Sequence, residues 1–211
     1  MSGLIKKDLI VMKRKFKPIQ LLIILVVILP LSQNPQYALI IISLMVPFLL
    51  SILVSSSFGY DQISKWEEYA VALPLPPKKI VASKYILCLI SLIISLFIVV
   101  LAFFLLRLFE VTNSGNLAMA IVVSTLFTII YHSLMIPVIY KFGIETSHTV
   151  LYAFILIPTI ISTLFGMFKM KIDVSIFDHS YFIIFVFFIL FLLLFLSYLI
   201  SVKIYKKNRL K

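Results

Sequence analysis

The sequence predicts an all-α membrane protein that crosses the bilayer six times. Hydrophobic residues make up 63% of its 211 residues and charged residues only 13%, a composition far from that of ordinary soluble domains. The hydrophobic residues are gathered into long stretches, and a spanning helix needs roughly 20 mainly apolar residues. The basic residues fall almost entirely in alternate connections between these stretches. Hydropathy and charge together therefore predict a polytopic bundle of helices.

The apolar stretches give the limits of the predicted spans. These spans are 19–31, 37–58, 85–106, 117–140, 149–168 and 181–202, within a transmembrane domain over 19–211. The first span is short and follows a basic segment, as the core of a signal peptide does. No small-residue cleavage pattern follows it, so we predict a retained helix that crosses by locally thinning the bilayer. An even number of crossings places both termini on one side.

Positive charge sets the orientation of the predicted bundle, because cytoplasmic connections are enriched in Lys and Arg. With these spans, 16 of the 19 Lys and Arg residues fall on the side of the two termini. The other side has only Arg107, Lys169 and Lys171. Both termini are therefore predicted to be cytoplasmic. The net charge of +11 then lies beside anionic lipid headgroups, so it does not indicate nucleic-acid binding.

The N-terminal segment, 1–18, is predicted to form an amphipathic helix in the membrane interface. Ile5, Leu9, Met12 and Phe16 recur at helical spacing, and basic residues occupy the other side. Such a helix buries its apolar face at the acyl boundary and keeps its cations among the headgroups. Membrane anchoring and the holding of a partner are both open as its role.

The segment 59–84, between the second and third spans, carries a predicted short cytoplasmic helix. Ser64 and Glu67 make an S-x-x-E capping box, which satisfies free amides at a helix start. The residues expected on its apolar face are Trp66, Tyr69, Ala70 and Leu73. Pro74, Pro76 and Pro77 are expected to end the helix, because proline has no amide hydrogen. The apolar face either rests on lipid headgroups or is a rigid knob for a soluble partner.

Catalytic motifs are missing from the sequence. None of the five glycines precedes a Lys, so the phosphate-binding pattern G-x-x-x-x-G-K-[ST] is absent. Glu67 and Glu68 could begin the E-E-x-x-x-R motif of membrane-embedded CAAX-type proteases, but Ala72 stands where the Arg belongs. The zinc pattern H-E-x-x-H is absent too. We therefore predict a chain that is not an enzyme and binds no metal or cofactor itself.

Small and hydroxyl residues recur at helical spacing inside the spans, where such residues let helices approach closely and bond across the contact. Their positions are Ser43, Ser51, Ser55, Ser91, Ser95, Ser124, Thr128, His132, Thr159 and Thr163. They either pack the helices or line a substrate path, and the sequence leaves both open. His132 has no buried acidic partner in the sequence, so we expect it to hydrogen-bond a neighbouring helix. Pro47, Pro137 and Pro158 mark expected flexing points.

The residues between 61 and 85 resemble the signature of the type 2 ABC exporter permease family, in its short six-helix branch common in Gram-positive bacteria. The matching residues are Asp61, Trp66, Tyr69, Ala70, Leu73, Pro74, Ile80, Val81, Ser83, Lys84 and Tyr85, with Leu4, Lys7, Asp8, Leu9, Pro137, Tyr140, Lys141, Phe142 and Gly143 elsewhere. Pro76 and Pro77 depart from the polar and basic residues usual there. In size and style the chain is most similar to permeases that export phenol-soluble modulins and other amphipathic peptides.

The resemblance implies the permease subunit of an exporter in a bacterial cell membrane. It implies a second permease protomer, identical or different, and two separate ATPase subunits that bind ATP and Mg. It makes 1–17 a connecting helix and 64–73 a coupling helix that sits in a cleft of the ATPase. The coupling residues would be Asp61, Ser64, Trp66, Glu67, Glu68, Tyr69 and Leu73. The substrate would be hydrophobic or amphipathic, such as an antimicrobial or toxin peptide. The alternative is a non-transporting membrane scaffold that docks a cytoplasmic partner.

Single cysteines test the predicted orientation. In a chain whose native Cys88 is replaced by Ser, Asn34→Cys and Asn113→Cys should react with a membrane-impermeant maleimide on intact cells, because both positions lie in outer connections. Lys207→Cys should react only after the cells are permeabilised. Labelling of position 207 on intact cells, with position 113 protected, would reverse the orientation.

Overall fold

The computed structural model describes residues 3–14, 35–73, 75–108, 117–146, 149–150, 152–153, 156 and 180–209. The principal elements within these residues are all helices. They are α1 (residues 3–14), α2 (Pro35–Ile63), α3 (Trp66–Ala72), α4 (Pro77–Leu108), α5 (Leu117–Phe142) and α6 (Ser180–Arg209). The all-α class predicted from the sequence is confirmed.

Four of the described helices are long and apolar enough to cross a membrane. The candidate spans are Ala38–Ile63, Pro77–Leu108, Leu117–Phe142 and Val186–Asn208. They confirm the second, third, fourth and sixth predicted spans. The first predicted span lies outside the described residues, as does most of the fifth.

The helices run further into the segment 59–84 than the sequence predicts. α2 continues to Ile63, and α4 already begins at Pro77. The short helix does end ahead of the three prolines, at Ala72, as predicted. Pro77 was not expected to begin the next helix, but proline suits the first position of a helix, where no amide donor is needed and φ is already helical. α3 ends at Ala72, and Leu73 is extended with φ −83° and ψ 142°, as the residue before a proline prefers.

The predicted capping box at the start of α3 is wrong. Lys65 is the N-cap residue, in the left-handed conformation with φ 49° and ψ 37°, and no side chain caps the helix. The Ser64 hydroxyl instead donates to the carbonyl oxygen of Tyr60 at 2.7 Å. Serine often bonds back to the preceding turn in this way. Ser64 therefore closes α2 rather than opening α3.

The centre of the bundle is formed by α2, α4 and α5, and α6 packs on α5 and α4. Leu53, Leu87 and Met135 are among its fully buried side chains. Large apolar side chains of α6, such as Phe188 and Phe191, are exposed. In a membrane these side chains face lipid or another protein.

A hydrogen-bond chain joins α5, α6 and α4 next to Pro137. Proline has no amide hydrogen, so it leaves the carbonyl of Ser133, four residues back, without its helical partner. Ser197 Oγ of α6 donates to this carbonyl at 2.6 Å. Tyr85 must then donate to Ser197 Oγ, at 2.6 Å, and accept from Ser201 Oγ at 2.9 Å. The proline in α5 therefore creates a fixed contact with two other helices.

Candidate functional site

Four charged side chains meet at the end of the bundle that carries α1 and α3, and they are called the charge cluster here: Lys7, Asp8, Asp61 and Lys84. Asp8 and Lys84 are buried, with 1% and 3% of their surface exposed. Lys84 Nζ lies 3.0 Å from Asp8 Oδ1 and 2.6 Å from Asp61 Oδ2. It also donates to Ser57 Oγ at 3.1 Å. Lys7 pairs with Asp61 and lies 3.4 Å from Asp8 Oδ1.

The charge cluster is electrically balanced, since it contains two ammonium groups and two carboxylates. Removing a charge from water costs several kcal/mol, and only well-placed partners offset that cost. Each lysine of the cluster contacts both carboxylates, and each carboxylate contacts both lysines. The cluster therefore ties α1 to α2 and α4 in one arrangement.

Aromatic rings extend the charge cluster to α3. Lys7 Nζ lies 4.1 Å from the centre of the Trp66 ring, and Lys84 Nζ lies 4.7 Å from the centre of the Phe58 ring. Both distances suit a cation–π contact. Trp66 is thus held against α1 by the same lysine that pairs with Asp61.

The predicted apolar face of α3 is divided between the protein and its surroundings. Ala70 is fully buried and Trp66 packs against the core. Tyr69 and Leu73 point outward, with 66% and 39% of their surface exposed. The helix therefore has a fixed inner side and a separate outer surface that remains accessible.

A cavity of about 370 Å³ lies behind α3. Its lining includes Asp61 and Lys84 of the charge cluster, Trp66 of α3, and Tyr140 and Tyr205 from the ends of α5 and α6. The inner side of α3 consequently has unfilled space beside it.

The predicted coupling residues occupy different settings. Asp61 and Trp66 belong to the buried side of the site. Ser64 is exposed at the end of α2, and Glu68 makes only an exposed pair with Lys65, at 3.8 Å. The side chain of Glu67 lies outside the described part of the structure.

Sequence reasoning missed Lys7, Asp8 and Lys84 as site residues, although all three are among the residues that carry the family resemblance. Asp8 carried a usable signal, because it is the only acidic residue in the first 60 positions and lies within a basic segment. Lys84 carried a weaker signal, because it is a lysine directly before the long apolar stretch of the third predicted span.

One side of α1 packs inside the protein. Leu4, Asp8 and Met12 are buried, whereas Leu9 and Ile10 are 39% and 53% exposed. Met12, predicted to lie at the acyl boundary, instead packs in the core, and for Leu9 the membrane contact stays a prediction. Phe16 lies outside the described residues.

The polar residues inside the spans bond mostly to their own helices. Ser51 donates to the carbonyl of Pro47 at 2.7 Å and Thr128 to that of Ser124 at 2.8 Å. Ser43 and Ser55 do the same within α2. Contacts between helices include Ser95 with Ser124 at 3.3 Å and Ser55 with the sulfur of Met135 at 3.1 Å. Hydroxyl bonding across helices is thus rarer than the sequence predicted. Thr159 and Thr163 lie outside the described residues.

His132 also bonds within its own helix. Its Nδ1 lies 2.7 Å from the carbonyl oxygen of Thr128, and its surface is fully buried. The expectation of a bond from His132 to a neighbouring helix is therefore wrong for the described residues.

The fold and the site define a multi-pass membrane protein that presents a short, firmly held helix at one end of its bundle. The family model for ABC-2 family transporter proteins matches residues 3–206. The chain therefore belongs to this family and is a permease subunit of an ABC transporter. Such permeases associate in general with an ABC ATPase and a second permease. Neither a curated protein nor a solved structure matches the chain.

Replacing Lys84 tests the charge cluster. Lys84→Met should lower the free energy of unfolding by about 3 kcal/mol or more, because it leaves Asp8 buried with only the more distant Lys7 as partner. The measurement is thermal unfolding of the purified chain in detergent. Lys79→Met, at an exposed position in the first turns of α4, is the matched control and should change little. Equal unfolding temperatures for the two variants would contradict a stabilising cluster.

Proposed function

We propose that the chain is the permease subunit of an ATP-driven exporter that moves a hydrophobic or amphipathic substrate, in particular a peptide, out of a bacterial cell. The observation that supports this is the division of α3 into a fixed inner side and an exposed outer side. The end of the bundle with α3 is cytoplasmic in this proposal, as the positions of 16 of the 19 Lys and Arg residues favour. ATP and Mg are bound by a separate ATPase subunit.

The ATPase contacts α3 and the adjoining end of α2 through a docking surface formed by Ile63, Tyr69 and Leu73. Ile63 is 83% exposed and Tyr69 66% exposed, and exposed apolar patches commonly mark protein contacts. The family of the chain supplies a partner of the required kind. Trp66, which the resemblance places among the coupling residues, supports this surface from behind through its contact with Lys7. Glu68 of α3 is exposed and paired with Lys65 at 3.8 Å, and it can exchange this pair for a basic group of the partner.

Motion of α3 passes to the membrane through α2 and α4. Both helices continue without a break from the α3 end into the bundle, as Pro35–Ile63 and Pro77–Leu108. Asp61 of α2 and Lys84 of α4 meet in the charge cluster, so a displacement of one helix end is transmitted to the other. The cavity behind α3 gives the helix room to move inward when the ATPase closes.

The substrate path forms between two permease protomers, identical or different. Ile93, Phe97 and Phe104 of α4 are 59% to 67% exposed, so this helix has an apolar side that a protomer, a lipid or an amphipathic substrate can cover. An acyl-like or peptide substrate suits such a surface, because its own apolar face replaces lipid there.

ATP hydrolysis should require the partner subunit. The chain purified alone should show no specific hydrolysis, because its sequence has no phosphate-binding loop, and activity should appear when the ATPase is added. The measurement is phosphate release in nanodiscs, with a catalytically inactive ATPase as control. Turnover by the chain alone, in preparations free of contaminating ATPase, would contradict the proposal.

Two substitutions in α3 separate docking from support. Tyr69→Ala should weaken binding of the ATPase in pull-downs by roughly thirty-fold, since truncation of a central aromatic residue commonly costs about 2 kcal/mol. It should leave the thermal stability of the chain unchanged, because Tyr69 is exposed. Trp66→Ala should lower both the recovery of the ATPase and the thermal stability of the chain, because Trp66 fixes α3 to α1.

Phe142→Ala is the matched control for these variants, because Phe142 is an exposed aromatic residue, 62% exposed, that ends α5 instead of lying on α3. All variants are compared at equal membrane levels. Equal ATPase recovery by wild type and Tyr69→Ala would exclude the docking surface. Normal docking and ATP hydrolysis without any transported substrate would favour the scaffold alternative.

A further inference from the structure

His132 leaves one ring nitrogen without a partner inside the bundle. Its Nδ1 faces the carbonyl oxygen of Thr128 at 2.7 Å. A carbonyl oxygen only accepts, so Nδ1 carries the hydrogen in this bond, and Nε2 of the neutral ring is a bare acceptor. Nε2 is buried and has no hydrogen-bond partner in the described part of the chain. Buried polar groups are rarely left in this state.

The hydroxyl groups that precede His132 on the same side of α5 offer acceptors as well. Ser124, Thr128 and His132 follow one another at four-residue spacing, so they share one side of the helix. Thr128 donates its hydrogen to the carbonyl of Ser124. Ser95 of α4 donates to its own helix, so Ser124 donates in the contact between the two serines. The hydroxyl hydrogens of Ser124 and Thr128 are therefore already donated, and only oxygen lone pairs remain available on this side of α5.

We propose that Nε2 of His132 accepts a hydrogen bond from an N–H group of the transported molecule. This proposal rests on the proposed function and narrows its substrate class. The favoured substrates are apolar molecules with a hydrogen-bond donor, such as peptide amides or amines. Carboxylates are disfavoured, because they have only hydrogen-bond acceptors. Pro137 follows shortly after His132 and interrupts the hydrogen-bond ladder of α5. Ser197 of α6 holds the carbonyl that the proline frees, so admission of the ligand requires this contact to open.

A matched pair of ligands tests the proposal. N-dodecylacetamide has one amide hydrogen, and N-dodecyl-N-methylacetamide has none but the same chain and carbonyl. The full chain in nanodiscs carries ¹⁵N-histidine, with His148→Gln and His179→Gln removing the other two imidazoles. N-dodecylacetamide should shift the Nε2 resonance saturably, and the methylated ligand should bind roughly ten-fold more weakly, because it leaves the acceptor unpaired.

His132→Leu should abolish the preference between the two ligands, and His132→Gln, which keeps an acceptor, should retain part of it. Equal shifts with both ligands would overturn the proposal, as would a resonance already typical of a hydrogen-bonded nitrogen before any ligand is added, which indicates a bound water. The spectra need no ATPase, so a negative result here is distinct from a failure of ATPase docking.

Discussion

The structure depends on the buried contact between Lys84 and the two carboxylates of Asp8 and Asp61. A single ammonium group in this place would be strongly unfavourable, and so would either carboxylate alone. Together with Lys7 they form a neutral set with short N to O distances, 2.6 Å and 3.0 Å at Lys84. The cost of separating them keeps α1, α2 and α4 in one relative position, and α3 follows through the ring of Trp66.

The same constraint also positions α3, a helix of two turns. α3 is too short to be stable alone in water, so its position is set by what lies behind it. Ala70 and Trp66 are held on that side, while Tyr69 and Leu73 stay accessible. The partner that we propose for the accessible side would therefore meet a surface that the charge cluster joins to α2 and α4.

Within the spans, hydrogen bonding follows a different rule. Most hydroxyl groups satisfy themselves on the preceding turn of their own helix, so apolar packing brings the helices together. The clear exception is at Pro137, where the carbonyl freed by proline is bonded by Ser197 of α6. His132 is a further exception, because its Nε2 has a lone pair and no donor among the described residues. At Pro137, the polar group that its own helix cannot satisfy specifies a contact between helices.

The sequence by itself determined the helical class and four spans that the structure describes, because hydropathy over about 20 residues is a local property. It also indicated the family, through residues 61 to 85, residues near the N-terminus and residues 137 to 143. Tertiary structure alone decided that Asp8 meets Lys84, since these residues lie 76 positions apart and no local pattern links them. It also decided that Trp66 faces inward and Tyr69 outward. Either aromatic residue could lie on the inner side of α3, and the contact with the ammonium group of Lys7 places Trp66 there. The role of Pro77 was likewise decided by the tertiary structure. Proline can either end a helix or begin one, and only the folded chain shows that Pro77 begins α4.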